Sequence, residues 1–162
     1  MDMSLISTDI VFDPKADAVP FNYRISYKVS LVCLIIGKCC GKKGCSAIKL
    51  QMINASVSTA LSRKKLLALT DQTSLSETTL IRFDPAISRA INYALADNLI
   101  FRQGNGLFRL TDKGKLLVKE IYAQNDLMAL EKDFFQELSS KLTEEIIERI
   151  SMSWRNNDVE NK

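Results

Sequence analysis

Apolar residues recur at helical spacing along most of this chain, and one short stretch breaks into strand-like alternation. Ile25, Val29, Val32 and Ile36 fall on one face of a helix over Asn22–Gly37. Leu31, Leu34 and Ile35 widen that face until the helix reads as central and largely buried. After a Gly-interrupted loop, Lys38–Cys45, Ser46 caps a helix containing Ile48, Leu50, Met52, Ile53 and Val57, with apolar positions continuing to Leu61 or Leu67. Asp71–Thr79 is polar, rich in Ser and Thr, and reads as a loop.

The stretch Leu80–Lys119 carries the sharpest local signals. Leu80–Phe83 fits a short strand that pairs with the hairpin to come. Asp84-Pro85 opens a helix, because Asp accepts from free N–H groups and Pro at the first helical position loses none. Ile87, Ile91, Ala94 and Leu95 form its stripe, and Asn98 suits a left-handed stop. Leu99–Phe101 reads as a strand, Gly104-Asn105-Gly106 as a tight turn, and Leu107–Leu110 as the return strand. Thr111 then caps a helix whose buried face is Leu116, Leu117, Ile121 and Tyr122. Beyond Asp126, Leu127, Leu130, Phe134, Phe135 and Leu138 share one helical face. Leu142, Ile146, Ile147 and Ile150 share another, after the start signal Thr143-Glu144-Glu145. The pattern predicts a mainly α chain with a small β-hairpin, a winged helix-turn-helix with extra C-terminal helices. It divides into an extended N-terminal arm over 1–21, a winged-helix domain over 22–125 and a C-terminal helical extension over 126–162.

Composition sharpens this picture in three places. The chain has 162 residues and is 46% hydrophobic, enough for a real core. No stretch approaches the ~18 apolar residues of a membrane helix. The first residues lack the basic region before an apolar run that a secretion signal needs, so a cytoplasmic protein without membrane contact is expected. The net charge of +3 is unevenly spread. Residues 1–21 carry one Lys and four Asp, residues 22–125 sixteen Lys and Arg against six Asp and Glu, and residues 126–162 five basic against nine acidic residues. A basic body between acidic ends favours nucleic acid or an acidic partner.

The chemistry of catalysis is sparse. There is no His, no phosphate-binding Gly loop, and no paired-carboxylate or Ser-nucleophile pattern. Cys33, Cys39, Cys40 and Cys45 contain no CxxC pair, which suits free thiols better than a zinc site. The expectation is a non-catalytic protein with no cofactor or metal. For DNA, the candidate reading helix is Pro85–Ala96, with Ser88, Arg89 and Asn92 on its polar face; Arg suits guanine and Asn suits adenine. Its charge is poor, with Asp84 and Asp97 against Arg89. The wing arms offer Arg102 and Arg109, and further candidate phosphate contacts are Lys42, Lys43, Arg63, Lys64 and Lys65. Candidate partner contacts are the apolar residues least explained by a minimal core: Phe12, Leu130, Phe134, Phe135, Ile146, Ile147, Ile150 and Trp154.

The run IRFDPAISRAINYALADNLI, a Gly hairpin and FRLTDKGKLLVKEI, after a Ser-capped helix and a polar loop, together resemble the middle components of three-component ABC-ATPase systems. The Lamassu anti-phage and anti-plasmid systems are members. The resemblance covers roughly residues 25–125. It implies an accessory subunit that binds an SMC-like ABC ATPase and links it to an effector, a nuclease in many such systems, with possible non-specific contact to double-stranded DNA. The alternative is a homodimeric winged-helix transcription regulator, with the C-terminal helices forming the two-fold contact.

Overall fold

The computed structural model describes residues 20–71 and 83–160, with side chains as far as Met152. Phe12 and most of the expected N-terminal arm, Leu80–Arg82 of the expected strand, and the Trp154 side chain lie outside the described residues. The described chain is mainly helical with one small antiparallel sheet. A 3-10 turn, Phe21–Tyr23, leads into α1, Ile25–Cys39. There follow α2 (Ala47–Val57), α3 (Ala60–Thr70), α4 (Pro85–Ala96), β1 (Ile100–Arg102), β2 (Phe108–Leu110), α5 (Asp112–Ala123), α6 (Ala129–Leu138) and α7 (Glu144–Glu160). Among the described residues, no helix is long and apolar enough to cross a membrane.

α1 is the central helix. Leu31 to Ile36 are buried without interruption, so the helix is enclosed on every side over that span. It touches α2, α4, α5, α6 and β2. One core cluster runs from these residues through Leu50 and Ile53 of α2, Ile87 and Ala94 of α4, and Val118 and Ile121 of α5. It continues into Phe135, Leu138, Leu142, Ile147 and Ile150, so α6 and α7 close the same core.

The Ser46 helix does not run on to Leu61 or Leu67. It stops at Val57, and Thr59 starts α3 afresh, its hydroxyl accepting from Ser62 N–H at 3.1 Å. Arg63 donates to Val57 O at 2.6 Å and satisfies a carbonyl left free at that break. Thr59→Ala removes this cap and is expected to cost about 1 kcal/mol. Urea denaturation followed by circular dichroism would check it, with Ser58→Ala as the comparison.

The hairpin forms as expected, displaced by a residue. β1 and β2 pair Ile100 with Leu110, Phe101 with Arg109 and Arg102 with Phe108. Gln103 N–H donates to Leu107 O at 2.8 Å, and Gly106 takes a φ of +83° at the tip. Asn98 adopts the left-handed conformation, φ 55°, as its place at the end of α4 suggested. Of the expected strand Leu80–Phe83 only Phe83 is described, and it is exposed and outside any strand; among the described residues, Cys45 bridges β2. Cys45 N–H donates to Phe108 O at 2.9 Å, and Phe108 N–H to Cys45 O at 2.8 Å. Gly44 makes this approach possible: its φ is +102°, and a Cβ there would lie 2.9 Å from Phe108 O.

Two buried-face expectations need correction. Leu116 of α5 is exposed, because Gly114, Val118 and Ile121 define the inward face and Leu116 stands about 200° around the helix from Gly114. Leu127 and Leu130 are also exposed, whereas Phe134, Phe135 and Leu138 are buried. Leu127 precedes the start of α6, and Leu130 lies in its first turn, where the neighbouring Glu131, not Leu130, is buried and takes the contact with Tyr27 of α1.

Candidate nucleic-acid and partner-docking surfaces

A polar cross-link sets the position of α4, the helix that precedes the hairpin. Lys28 Nζ on α1 donates to Asp84 Oδ2 and to Asn54 Oδ1 of α2, both at 2.8 Å. Asn54 Nδ2 donates to the same Asp84 oxygen at 3.2 Å. Gln51 brackets the Asp84 backbone, its Oε1 accepting from Asp84 N–H at 2.9 Å and its Nε2 donating to Asp84 O at 3.1 Å. The other carboxylate oxygen caps α4 by accepting from Ala86 N–H at 2.9 Å. Burial pushes the Asp84 pKa up, but the hydrogen bond from Lys28, the Ala86 N–H, the Lys28 charge and Asn54 outweigh it and hold the carboxyl below its usual value. Asp84 was legible as a cap. Lys28, Gln51 and Asn54 were not, since each looks like an ordinary surface residue in sequence.

With Asp84 so engaged, the outward face of α4 consists of Ser88, Arg89, Asn92 and Tyr93, all exposed. Gln51 Nε2 also reaches Ser88 Oγ, at 3.5 Å. Arg89 is the one cation on this face, and Tyr93 makes it partly apolar.

Positive charge gathers instead around the hairpin. Lys42 and Lys43 are exposed on the loop before α2. Gln103 Nε2 donates to Lys43 O at 2.8 Å and fastens that loop to the wing. Exposed Arg109 pairs across the sheet with Phe101, and exposed Arg102 approaches Gly106 at the tip. Four of the proposed phosphate contacts, Lys42, Lys43, Arg102 and Arg109, thus belong to one wing-and-loop unit. Lys64 and Lys65 are exposed on α3, a separate element, and the Arg63 guanidinium is half-buried against the end of α2.

The proposed partner contacts separate sharply. Phe134, Phe135, Ile147 and Ile150 are buried in the chain's own core and are withdrawn as a docking surface; Ile146 is half-buried. Their burial follows from α6 packing on α1, where Cys39 Sγ reaches Phe135 O at 3.9 Å, and from the start of α7, where Glu144 Oε1 accepts from Ser46 N–H at 2.9 Å. Among the described members of the set, Leu130 alone is open, at 68% exposure. It stands on an apolar groove of about 520 Å³ with Phe21, Tyr27, Leu127 and Met128. Phe21 stacks edge-on against Tyr27 at 5.2 Å between ring centroids. The Tyr27 hydroxyl donates to Glu131 Oε1 at 2.7 Å; burial first, then that carboxylate, raises its pKa. Phe21 escaped sequence reasoning because it lies outside a regular α-helix, where periodicity carries no information, and Leu127 was assigned to a buried helical face although it precedes α6.

No protein-family profile, curated protein or solved structure matches this chain.

Proposed function

We propose that the chain is a non-catalytic adaptor built on a winged helix and that it works by docking on other proteins. In this reading helices α1, α2 and α4 would serve as the three winged-helix helices, Cys45 as the first strand, and β1 and β2 as the wing arms. The return of Cys45 to β2 supports this reading, because it joins the segment before α2 to the wing. The observation that carries the adaptor reading is the character of α4. A helix that reads DNA needs base-edge donors flanked by phosphate-binding cations. This one offers Arg89 alone among cations, beside an exposed Tyr93, and its capping carboxylate is held by Lys28.

The sequence resemblance gives the partners of this adaptor: an SMC-like ABC ATPase, and an effector nuclease that it links to the ATPase. Defence against phage or plasmids is the proposed setting. DNA held by the ATPase is within the chemistry of the wing-and-loop cations, as a backbone contact without sequence choice. The regulator alternative needs a two-fold apolar face on the C-terminal helices, and the described apolar residues of α6 and early α7 are mostly enclosed within one chain.

Light scattering on the isolated chain, combined with selection of bound duplexes from a random pool, tests the choice. The adaptor reading expects no enriched sequence. A dimer that enriches a palindrome would overturn it. The wing makes its own prediction. Arg102→Ala with Arg109→Ala is expected to weaken duplex binding equally for all sequences and to lower the log–log salt slope by about 2. Asn92→Ala is expected to change neither. Fluorescence anisotropy across a salt series would read both.

A further inference from the structure

A cluster of thiols, an ammonium and a carboxylate lies beneath the wing, on no surface used above. Cys40 follows the last residue of α1 in extended conformation, and Cys45 precedes α2. The intervening loop turns back through Gly44 N–H donating to Gly41 O at 3.2 Å. The turn sets the two cysteines on either side of it, where each thiol shifts the pKa of the other; the Cys45 thiol donates to Ser46 O at 3.7 Å, and Ser46 N–H donates to Glu144 Oε1 at 2.9 Å. Cys45 is fully buried and held on both sides of its backbone by the bridge to Phe108; Cys40 is only half-buried, so solvent reaches the outer member of the pair. Among the described residues, no group of Cys, Asp and Glu is arranged to hold a metal.

We propose that Cys40 and Cys45 are a reversible dithiol–disulfide site, with half-buried Cys40 as the sulfur that meets the oxidant and buried Cys45 as the sulfur that resolves it. Cys40 and Cys45 flank a turn closed by Gly44 N–H on Gly41 O, and residues that face each other across such a turn lie about 4.5–5.5 Å apart at Cα, a separation a disulfide spans. The Cys45 hydrogen bond lowers the Cys40 pKa, burial opposes this, and the Lys49 charge adds to the lowering, so Cys40 carries the thiolate character. Cys33 and Cys39 are the contrast: both are fully buried, and burial pushes both thiols up to about 12.

Hydrogen peroxide, a small two-electron acceptor, is the proposed oxidant. The Cys40 thiolate attacks one peroxide oxygen, the O–O bond breaks, and hydroxide leaves to become water, with Cys40 now a sulfenic acid. The Cys45 sulfur attacks the Cys40 sulfur, the S–O bond breaks, and the Cys45 proton leaves with the oxygen as a second water. Two thiols lose two electrons and two protons, and the peroxide is reduced to two waters. In a reducing compartment such a bond is transient, and a thiol reductant restores both cysteines. The ring so closed contains Lys42 and Lys43 and ends on the bridge to β2, so oxidation would stiffen the cationic loop against the wing.

Peptide mapping after hydrogen peroxide tests the site in the full chain. Trypsin cuts after Lys38, Lys42, Lys43 and Lys49, which places Cys40 and Cys45 on different peptides and makes their bond visible as a linked pair. The expected result is a link between the peptides Cys39–Lys42 and Gly44–Lys49, kept in Cys39→Ser, lost in Cys40→Ser and in Cys45→Ala, and cleaved by dithiothreitol. In the untreated chain Cys40 is expected to alkylate before Cys33 and Cys39, a measurement that needs no variant to fold. Four free thiols after peroxide, a link that survives Cys40→Ser, links only between molecules, or alkylation of Cys33 first would each overturn the proposal.

Discussion

Replacing Gly114 by alanine is expected to be the most damaging single-methyl change in the chain. A Cβ at Gly114 would lie 2.0 Å from Leu99 O and 3.0 Å from Leu99 C, both backbone atoms. Leu99 O cannot retreat freely, because it accepts from Thr111 N–H at 3.0 Å and from the Thr111 hydroxyl at 3.1 Å. That same hydroxyl caps α5 through Gly114 N–H at 3.1 Å. Relief therefore requires α5 to lift from the start of the wing. In an open helix the change to alanine would gain about 1 kcal/mol of propensity. Here overpacking dominates, at or beyond the ~3 kcal/mol top of its usual range. At ~2–4 °C per kcal/mol for a chain of this size, the melting temperature should fall by roughly 6–12 °C. Gly104→Ala is the control, since a Cβ there meets nothing within 4 Å. Calorimetry on the two variants decides it, and equal melting temperatures would show that α5 does not sit against Leu99.

The second large effect belongs to Asp84→Ala. The change removes the partner of a buried ammonium and the cap of α4 together. Lys28 would keep only Asn54 Oδ1 among its two described partners. Breaking one side of a buried ion pair costs ~3–5 kcal/mol. The Asp84 side chain is 30% exposed, so solvent screening brings the expectation down to about 2–3 kcal/mol with the cap included. Adding Lys28→Met to Asp84→Ala is expected to recover part of the loss, because no unpaired charge then remains. The pH dependence has a definite sign. The folded-state pKa of Asp84 is depressed, so its contribution is full above the unfolded value near ~3.9 and is lost as pH falls toward the folded value. Urea unfolding from neutral pH into this acidic window should show a step in the natural chain that Asp84→Asn lacks. An identical pH profile for the two would remove the ion pair from the account.

These two sites show what kind of information a sequence exposes. The caps at Ser46, Asp84 and Thr111 and the stop at Asn98 were legible, because each acts within a few residues of itself. The hairpin was legible for the same reason, from its glycines and flanking apolar residues. Lys28 gave no signal, because its partners Asn54 and Asp84 come from distant parts of the chain. Cys45 as the third partner of the wing was hidden too: a single bridging residue has no period. Helical periodicity found the buried face of α4 and of the middle of α1 but overextended at Ile25, Ile48, Leu116, Leu127 and Leu130, where apolar residues lie off the face or at the ends of their helices. Of the candidate contacts, the cations near the wing could be named from sequence but not gathered into one surface. The apolar groove was legible only through Leu130, since residues outside regular helices have no face to assign.

The adaptor reading rests on a separation of surfaces, with cations at the wing and open apolar residues beside Phe21 and Leu130. Its most direct measurement is co-purification from cells that express the tagged chain with an SMC-like ABC ATPase of a three-component system, the proposed partner, using the natural chain, Leu130→Glu, and Arg102→Ala with Arg109→Ala. The account predicts that the ATPase comes through with the natural chain and with the wing variant, and is lost with Leu130→Glu while the variant keeps its circular dichroism spectrum. A natural chain that elutes without the ATPase would contradict it.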